Sequence, residues 1–426
     1  MLLSPPTRAI FVSLHYELKL TQRLKNDNRE DEFLVSRLIF LTTYGGNMDI
    51  ENMMDNLHLG EIIVHNLARH AKQYEETHKM ERTITDRSSS SSIHTKLDEK
   101  QLKKERKAAE KAAKEAKRKG ITADTGPDPM EDMALVETLK LFFNITYFCP
   151  SSIAALSPAV PHVLRLILKR SVDDQKPMDP PMGQLMNALI NLDLEANEGS
   201  FFPAKDPKAI AERFIHLLDL TTSAYEEKDL EKEASPILTV MRKIYAMAPQ
   251  PVKLHMRCLL LPTEEDRAQP LGQSDTLSSR ILRLSTSPVC PNARETLSNL
   301  LFEMSDKDAK NFVQNVGYGF ASGFLFQHNV PIPENAMEAW STSGSDGKPS
   351  MDGRSSMSSA GQGVPLQRTN TIGSTSGRIG GGASGSGGAI NPVTGQFFDK
   401  EKPVKNSMTR EEKEREAERL MVLFDR

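Results

Sequence analysis

The stretch MALVETLKLFFNITYF, residues 133–148, has the pattern of one amphipathic helix with two different faces. Side chains three or four positions apart lie on the same face of an α-helix. One face is apolar and comprises Leu135, Leu139, Phe142 and Phe143. The second stripe is polar or aromatic and comprises Glu137, Lys140, Asn144 and Tyr147. The pattern predicts that the first face packs in a core and that the second could bind a partner.

The same pattern returns as GQLMNALINLDL (residues 183–194), PILTVMRKIYAM (236–247) and RETLSNLLFEMS (294–305). An earlier copy, DEFLVSRLIFLTTY (31–44), aligns Arg37 with Lys140. A period of about 40 to 50 residues in helical sequence is typical of stacked armadillo or HEAT repeats. The sequence therefore predicts an all-α fold, an armadillo/HEAT-like α-solenoid. The alignment gives one equivalent position, at spacings of 47, 52 and 56 residues, to Asn144, Asn191, Lys243 and Asn299.

Two low-complexity stretches divide the predicted repeats. Residues 1–79 and 131–336 carry the helical pattern, and prolines are expected between its helices. Residues 80–130 form a charged, low-complexity insertion without an apolar stripe, and the Ser/Gly-rich residues 337–388 predict a disordered tether. Residues 389–426 form a C-terminal segment. Within it, residues 409–426 predict an amphipathic helix that begins with a capping box of Thr409 and Glu412.

Composition narrows the class of protein. The formal net charge of −3 over 426 residues argues against a dedicated nucleic-acid binder, which needs a basic surface. The three cysteines form no CxxC pair, so neither a disulfide framework nor a zinc site is expected. The start of the chain lacks a secretory leader pattern, and no run of about 18 apolar residues predicts a membrane span. We expect a soluble, cytoplasmic protein.

Motifs for covalent chemistry are missing from the sequence. The glycines of GYGFASG (317–323) follow a helical pattern without the GKS or GKT of a phosphate-binding loop, so we expect close helix packing at a turn. The histidines His58, His65, His70 and His78 lack an HExxH context and are expected on the surface. No enzyme activity, cofactor or metal is predicted.

The recurring polar stripe is the main candidate for a functional site. In armadillo stacks the last helix of each repeat lines a concave groove, where asparagines can hydrogen-bond a peptide backbone and cations can bind a carboxylate. The alternative is that polar residues only mark the solvent side of amphipathic helices. The candidate side chains are Asn144, Asn187, Asn191 and Asn299, together with Lys140, Arg242 and Lys243.

Several stretches of the chain resemble one known family. They are ALVETLKLFFNITYF (134–148), NALINLDL (187–194), RETLSNLLFEMSDKDAKNFVQNVGYGFASGFL (294–325), INPVTG (390–395) and MTREEKEREAERLMVLFDR (408–426). Together they resemble synembryn, the resistance-to-inhibitors-of-cholinesterase family. The resemblance implies a non-receptor guanine-nucleotide exchange factor and folding chaperone for heterotrimeric G-protein α subunits (Gα). It also implies that the groove binds the C-terminal helix of Gα, and that the tethered C-terminal helix reaches the nucleotide-binding region.

Under this resemblance the chain is expected to be incomplete, because family members begin with further repeats and continue past the C-terminal helix. The expected partner is Gα in its GDP-bound or nucleotide-free state. Membrane association is expected only through Gα. The rival hypothesis is a passive peptide-binding scaffold or transport adaptor, which would bind Gα tails without releasing GDP. The candidate Gα contacts are Arg37, Lys140, Asn144, Tyr147, Asn187, Asn191, Arg242, Lys243 and Asn299 on the repeats, and Leu420, Met421 and Phe424 on the C-terminal helix.

Overall fold

The structure is a computed structural model that describes residues 4–44, 48–89, 129–331, 390–391 and 394–397. Within these ranges the regular elements are helices, and the one β-type contact is an isolated bridge between Ile390 and Phe397. The chain divides into two compact units. Unit 1 comprises Met1–Leu261 and Asp275–Met304, and unit 2 comprises Pro262–Ser274 and Ser305–Arg426. The prediction of an all-α fold is confirmed.

Several connections between the described helices are 3₁₀ turns. The first helices of unit 1 are α1 (Pro5–Ser13), α2 (Glu17–Leu24), α3 (Arg29–Thr43), α4 (Ile50–Asp55) and α5 (Leu59–Ser89), and α5 extends into the stretch 80–130 predicted as an insertion. The next helices of unit 1 are α6 (Pro129–Phe148), α7 (Ile153–Leu156), α8 (Val160–Lys169), α9 (Met182–Ile190), α10 (Glu198–Phe201), α11 (Ala209–Ala224), α12 (Glu227–Met247), α13 (Gln250–Leu260), α14 (Leu277–Leu284) and α15 (Pro291–Met304). Unit 2 contains the 3₁₀ turn Asp266–Ala268, α16 (Ala309–Val316) and α17 (Tyr318–Gln327).

Caps and left-handed residues set the helix boundaries. The Asn28 side chain caps α3 by accepting hydrogen bonds from two backbone N–H groups of the first turn. His15 and His58 adopt φ of 54° and 55° and separate α1 from α2 and α4 from α5. Gly317, with φ of 81°, turns the chain between α16 and α17, as expected. The expected close packing is absent at Gly323, where a Cβ would meet none of the described residues within 4 Å.

One proline lies inside a helix. Pro236, the first residue of the repeated pattern 236–247, lies inside α12, which already begins at Glu227. The helix continues because the residues that follow, Ile237 and Leu238, are fully buried. Their packing offsets the lost backbone hydrogen bond.

Two rows of helices build unit 1. In one row α3 contacts α6, α6 contacts α9, α9 contacts α12 and α12 contacts α15. These are the helices that carry the repeated sequence pattern, and we call them the repeat row. In the other row α5, α8, α11 and α14 contact one another in the same order. Each helix packs on its counterpart in the next repeat, which is the arrangement of an α-solenoid.

The apolar face that defines the pattern lies in the core of unit 1. Leu135, Leu139 and Phe142 of α6 are buried, whereas Phe143 is only half-buried. The segment Pro150–Lys169 is long and apolar enough by composition to cross a membrane, with a mean hydropathy of 1.4, which the sequence analysis did not anticipate. Its helices α7 and α8 contact α5, and side chains such as Ile167 are fully buried. These features are those of a core segment.

Candidate partner-binding surface

Two asparagines of the predicted binding stripe join successive helices of the repeat row. Asn144 Nδ2 on α6 donates a 2.7 Å hydrogen bond to Thr43 Oγ1 on α3. Asn191 Nδ2, directly after α9, donates a 3.2 Å hydrogen bond to Thr146 Oγ1 on α6. Each threonine hydroxyl in turn donates to the backbone carbonyl three residues earlier in its own helix, at 2.6 and 2.8 Å. The same bonded unit therefore repeats at two successive junctions.

This geometry corrects the interpretation of Asn144 as a side chain that faces a ligand. Asn144 is only 3% exposed, and its amide donates to the neighbouring helix. Asn191 is half-buried and is used in the same way. A pattern of polar residues cannot distinguish an amide that faces a ligand from one that faces the next repeat. Buried amides need a partner, and here the preceding threonine provides it.

A lysine replaces the asparagine at the third junction. Lys243 Nζ on α12 donates to the backbone carbonyls of Ile190, at 2.6 Å, and Leu192, at 3.2 Å. Asp193 occupies the position that threonine holds in the earlier repeats, so the lysine reaches the end of α9 directly. Burial lowers the pKa of Lys243, although the negative charge of Asp193 opposes that effect. Lys243 therefore caps a helix C-terminus and its cation is engaged within the repeats.

An ion pair forms the fourth junction. Arg242 on α12 donates to Glu303 Oε1 on α15 through Nη2 at 2.8 Å and Nε at 3.1 Å. Asn299, at the position equivalent to Asn144, donates to the carbonyl of Glu295 in its own helix. The asparagine bond to the preceding helix therefore does not extend to α15. Asn187 is half-buried and makes no side-chain hydrogen bond with the residues that the structure describes.

Arg37 and Lys140 are the predicted cations that keep an open side. The buried carboxylate of Glu137 accepts a hydrogen bond from Lys140 Nζ at 2.9 Å, and Arg37 Nη1 lies 3.5 Å from the same oxygen. The side chains of Arg37 and Lys140 remain 53% and 35% exposed. Glu137 thus holds two cations of neighbouring repeats together, and both can offer charge to a ligand.

A cluster of aromatic side chains lies at the C-terminal ends of α3 and α6. The ring centroids are 5.3 Å apart for Phe40 and Tyr44, 6.2 Å for Tyr44 and Phe148, and 5.0 Å for Tyr147 and Phe148. Phe143 stacks on Tyr147 at 6.3 Å. Tyr147 is 62% exposed, and Tyr44 and Phe148 are also more than half exposed. We call these five residues the aromatic patch.

The aromatic patch has the character of a protein interface. Contiguous exposed aromatic side chains are uncommon on a surface that meets only water, and Tyr and Phe are enriched at interface centres. Of this group the sequence predicts only Tyr147 as a contact, and it assigns Phe143 to the packed face. A usable signal was present, because Phe40–Tyr44 and Phe143–Tyr147 are i, i+4 pairs at equivalent positions of the alignment.

A buried charge cluster joins α3, α5 and α6 near one end of the repeat row. His70 on α5 lies between two carboxylates, with Nε2 3.0 Å from Glu32 Oε1 and Nδ1 against Glu131. Arg69 pairs with Glu32 and Arg29 pairs with Glu131. The expectation of a surface histidine is wrong for His70, which is buried because its ring is held from both sides.

The two carboxylates of the cluster favour the protonated form of the His70 ring. Burial opposes the charged ring most strongly, but hydrogen bonds and charges from Glu131 and Glu32 outweigh burial and raise the pKa of His70. Burial likewise opposes the Glu32 and Glu131 carboxylates, yet contacts with His70 lower the pKa of both, helped by Arg69 at Glu32 and by Arg29 at Glu131. Each carboxylate of the cluster is paired with His70 and with an arginine, so the cluster has the features of a structural junction.

The remaining predicted contacts are not placed by the structure. Leu420, Met421 and Phe424 lie outside the described residues. Across the described ranges no group of three or more His, Cys, Asp and Glu side chains has an arrangement that could hold a metal ion. Arg37 and Lys140 meet at Glu137, and Tyr147 belongs to the aromatic patch; all three lie on α3 and α6 with partly or largely exposed side chains.

The fold defines a class: helical-repeat proteins built as an α-solenoid. The chain belongs to the guanine nucleotide exchange factor synembryn family, whose profile matches residues 1–426. It is 28% identical over 194 residues to a synembryn-like chaperone of Schizosaccharomyces pombe, covering 45% of this chain and 31% of that protein. It is 23% identical over 310 residues to the chaperone Ric-8A of Xenopus tropicalis, and 24% identical over 315 residues to that of Bos taurus. These matches cover 70% of this chain, and 51% and 52% of the two relatives.

Proposed function

We propose that this protein is a guanine-nucleotide exchange factor and folding chaperone for Gα, which it binds in the GDP-bound or nucleotide-free state. The match of the whole chain to the synembryn family carries the proposal, and relatives named as chaperones support it. The protein works in the cytoplasm and reaches the cell cortex or plasma membrane only through Gα. It makes and breaks no covalent bond.

The binding surface in this proposal is the aromatic patch together with Arg37 and Lys140. An amphipathic helix, such as the C-terminal helix of Gα, presents apolar side chains at i, i+3, i+4 and i+7, which aromatic rings can bury. The two cations, held by Glu137, would pair with acidic side chains or the terminal carboxylate of that helix. Both elements lie on α3 and α6, which make the most extensive helix pair of the structure.

Exchange follows from binding one state of Gα more tightly than the other. If the repeat row holds the Gα C-terminal helix away from its own domain, the nucleotide pocket loses support and GDP leaves. GTP then favours the closed state and releases this protein, because the coupling between the two ligands is reciprocal. The same preference makes a chaperone, since a partner stabilises by mass action whichever state it binds.

The test measures release of a fluorescent GDP analogue from Gα, with and without Tyr147→Ala combined with Phe148→Ala. We expect the wild-type protein to accelerate release and the double variant to lose most of the effect while its thermal melt is retained. Leu254→Ala on α13 is the matched control, because Leu254 is also exposed and apolar. Binding of Gα without faster release would refute exchange and favour a passive scaffold. Full activity of the double variant would show that the binding surface lies outside the aromatic patch.

A further inference from the structure

Unit 2 holds a later part of its own chain through a buried arginine. Residues 390–391 and 394–397, which we call the turn segment, lie against the 3₁₀ turn that contains Arg267. Arg267 Nη1 donates to the Gly395 carbonyl at 2.9 Å, and Nη2 donates to the Asn315 carbonyl at 2.9 Å in the last turn of α16. One guanidinium therefore bridges the turn segment and a helix C-terminus, where carbonyls lack partners within the helix.

Further hydrogen bonds connect the same two stretches. The Leu271 N–H donates to the Thr394 carbonyl at 3.2 Å, and the Phe397 N–H donates to the Arg267 carbonyl at 3.0 Å. Gln396, which is buried, donates through Nε2 to another carbonyl of the 3₁₀ turn at 3.1 Å. Most of these bonds use backbone groups on both sides. The docking therefore depends on the shape of the turn more than on its side chains.

A glycine makes that shape possible. Gly395 adopts φ of 69°, and its N–H donates to the Asn391 carbonyl at 2.8 Å, while the Asn391 N–H donates to the Gln396 carbonyl at 2.8 Å. A Cβ on Gly395 would lie 2.3 Å from Leu271 Cδ1. The left-handed backbone and the close approach to Leu271 both disfavour a side chain at this position.

The guanidinium depends on the docked turn segment in return. Arg267 is buried, and burial lowers its pKa against the opposing negative charge of Asp266. A buried cation is costly unless its N–H groups are bonded, and the Gly395 carbonyl is one of its two carbonyl acceptors. An undocked turn segment would leave this part of the guanidinium without its acceptor. The two sides therefore stabilise each other.

We infer that Arg267 is a positioning residue, which fixes the turn segment on unit 2 so that the chain beyond Phe397 leaves from a defined point. The effect of this positioning on nucleotide exchange rests on the proposed function. A fixed point of departure raises the local concentration of the C-terminal residues around a bound Gα, without any change in their intrinsic affinity. The sequence assigns this segment no such anchor, because the partners are 128 residues apart.

The test is amide hydrogen exchange on the full chain with Arg267→Met and, separately, Gly395→Ala. We expect protection at the Leu271 and Phe397 amides to fall by roughly tenfold to a hundredfold in both variants, as for the loss of a charged hydrogen bond. Protection in α16 and α17 should persist. If Arg267→Met unfolds unit 2, the test relies on Gly395→Ala, which leaves Arg267 intact. Gly323→Ala is the control, because that glycine has open space around it.

Protection unchanged in Gly395→Ala would overturn the inference. GDP release from Gα is measured on the same preparations. This second measurement distinguishes failure of the docking inference from failure of the proposed function. A wild-type chain that fails to accelerate GDP release would refute the proposed function. Amide hydrogen-exchange protection would still show whether the turn segment docks through Arg267 and Gly395. An active wild type with equally active variants, in which the turn segment has lost protection, would refute the positioning role alone.

Discussion

Asn144 and Thr43 form a 2.7 Å side-chain hydrogen bond between α6 and α3, and Asn191 and Thr146 form its counterpart one repeat later. The two threonines occupy equivalent positions of the repeat alignment, as do the two asparagines. Apolar packing is not directional, whereas a buried hydrogen bond is satisfied at one relative placement of two helices. These bonds therefore specify how successive helices of the repeat row sit against each other.

Thr43→Val should lower the free energy of unfolding by about 1 to 3 kcal/mol, because it leaves the buried Asn144 amide without its acceptor. Asn144→Leu in the same background should recover part of that loss. Thr286→Val is the control, since Thr286 also donates to a carbonyl three residues earlier but is exposed. Denaturant unfolding measures all four proteins. Equal losses at Thr43 and Thr286 would show that the bond to Asn144 contributes nothing.

Lys243 and Lys140 should respond oppositely to replacement by Met, which keeps the aliphatic stem. Lys243→Met removes the donor for two carbonyls at the end of α9 and should cost about 1 to 2 kcal/mol of stability. Lys140→Met should cost less stability, because Arg37 still pairs with the Glu137 carboxylate, and it should weaken binding of a Gα C-terminal peptide. Thermal melts and calorimetry on both variants check this pair. A reversed result would restore Lys243 as a ligand-facing cation.

Phe142 and Phe148 lie on one helix, and comparing their alanine variants distinguishes a packing role from a binding role. Phe142→Ala should lower the free energy of unfolding by about 3 to 5 kcal/mol, because the side chain is fully buried and leaves a cavity. Phe148→Ala should affect stability far less and reduce peptide affinity, because Phe148 belongs to the exposed aromatic patch. Similar stability losses in both variants would mean that the patch packs as core.

The sequence was sufficient to predict the repeat row, because the spacing of residues such as Leu139 and Phe142 reports which face is apolar. It also predicted the equivalence of Asn144 and Asn191, but not the direction in which their amides point. That direction depends on the threonine of the preceding helix, 101 residues before Asn144. Side-chain chemistry alone allows either a ligand or a neighbouring repeat as the acceptor.

The buried charge cluster and the docked turn segment lay beyond sequence reasoning for the same reason. Glu32 precedes His70 by 38 residues, and Gly395 follows Arg267 by 128 residues. Neither pair forms a local motif, and a histidine among polar residues has the pattern of a surface position. Only the packing of α3, α5 and α6 gives His70 two carboxylates and removes it from water.

The C-terminal helix predicted at residues 409–426 lies outside the described residues, and its role stays a prediction. Leu420→Asp with Phe424→Asp should slow GDP release from intact Gα while leaving the affinity for an isolated Gα tail peptide unchanged, because the apolar end of the helix would contact a second surface. Deletion after Ser407 should have the same effect. Equal loss in both assays would mean that the helix supports the repeat row itself.

The last prediction concerns pH and the cluster of Glu32, His70 and Glu131. The pKa of His70 is raised, so its contribution to stability is complete below its ordinary value of 6.5 and is lost as the pH rises through the folded-state value. The pKa values of Glu32 and Glu131 are lowered, so their contributions are present above 4.5 and are lost as the pH falls through the folded-state values. The cluster should therefore stabilise unit 1 most between these two limits.

His70→Gln tests this directly, because it removes the imidazolium and keeps a polar side chain. Its free energy of unfolding should fall below that of the wild type by about 3 to 5 kcal/mol near pH 6, the usual cost of breaking a buried ion pair. The difference should shrink as the pH rises and the wild-type ring loses its proton, since Arg69 and Arg29 still neutralise the carboxylates. His65→Gln, at an exposed position of the same helix, is the control. A difference that does not change with pH would mean that His70 contributes packing and hydrogen bonds but no charge.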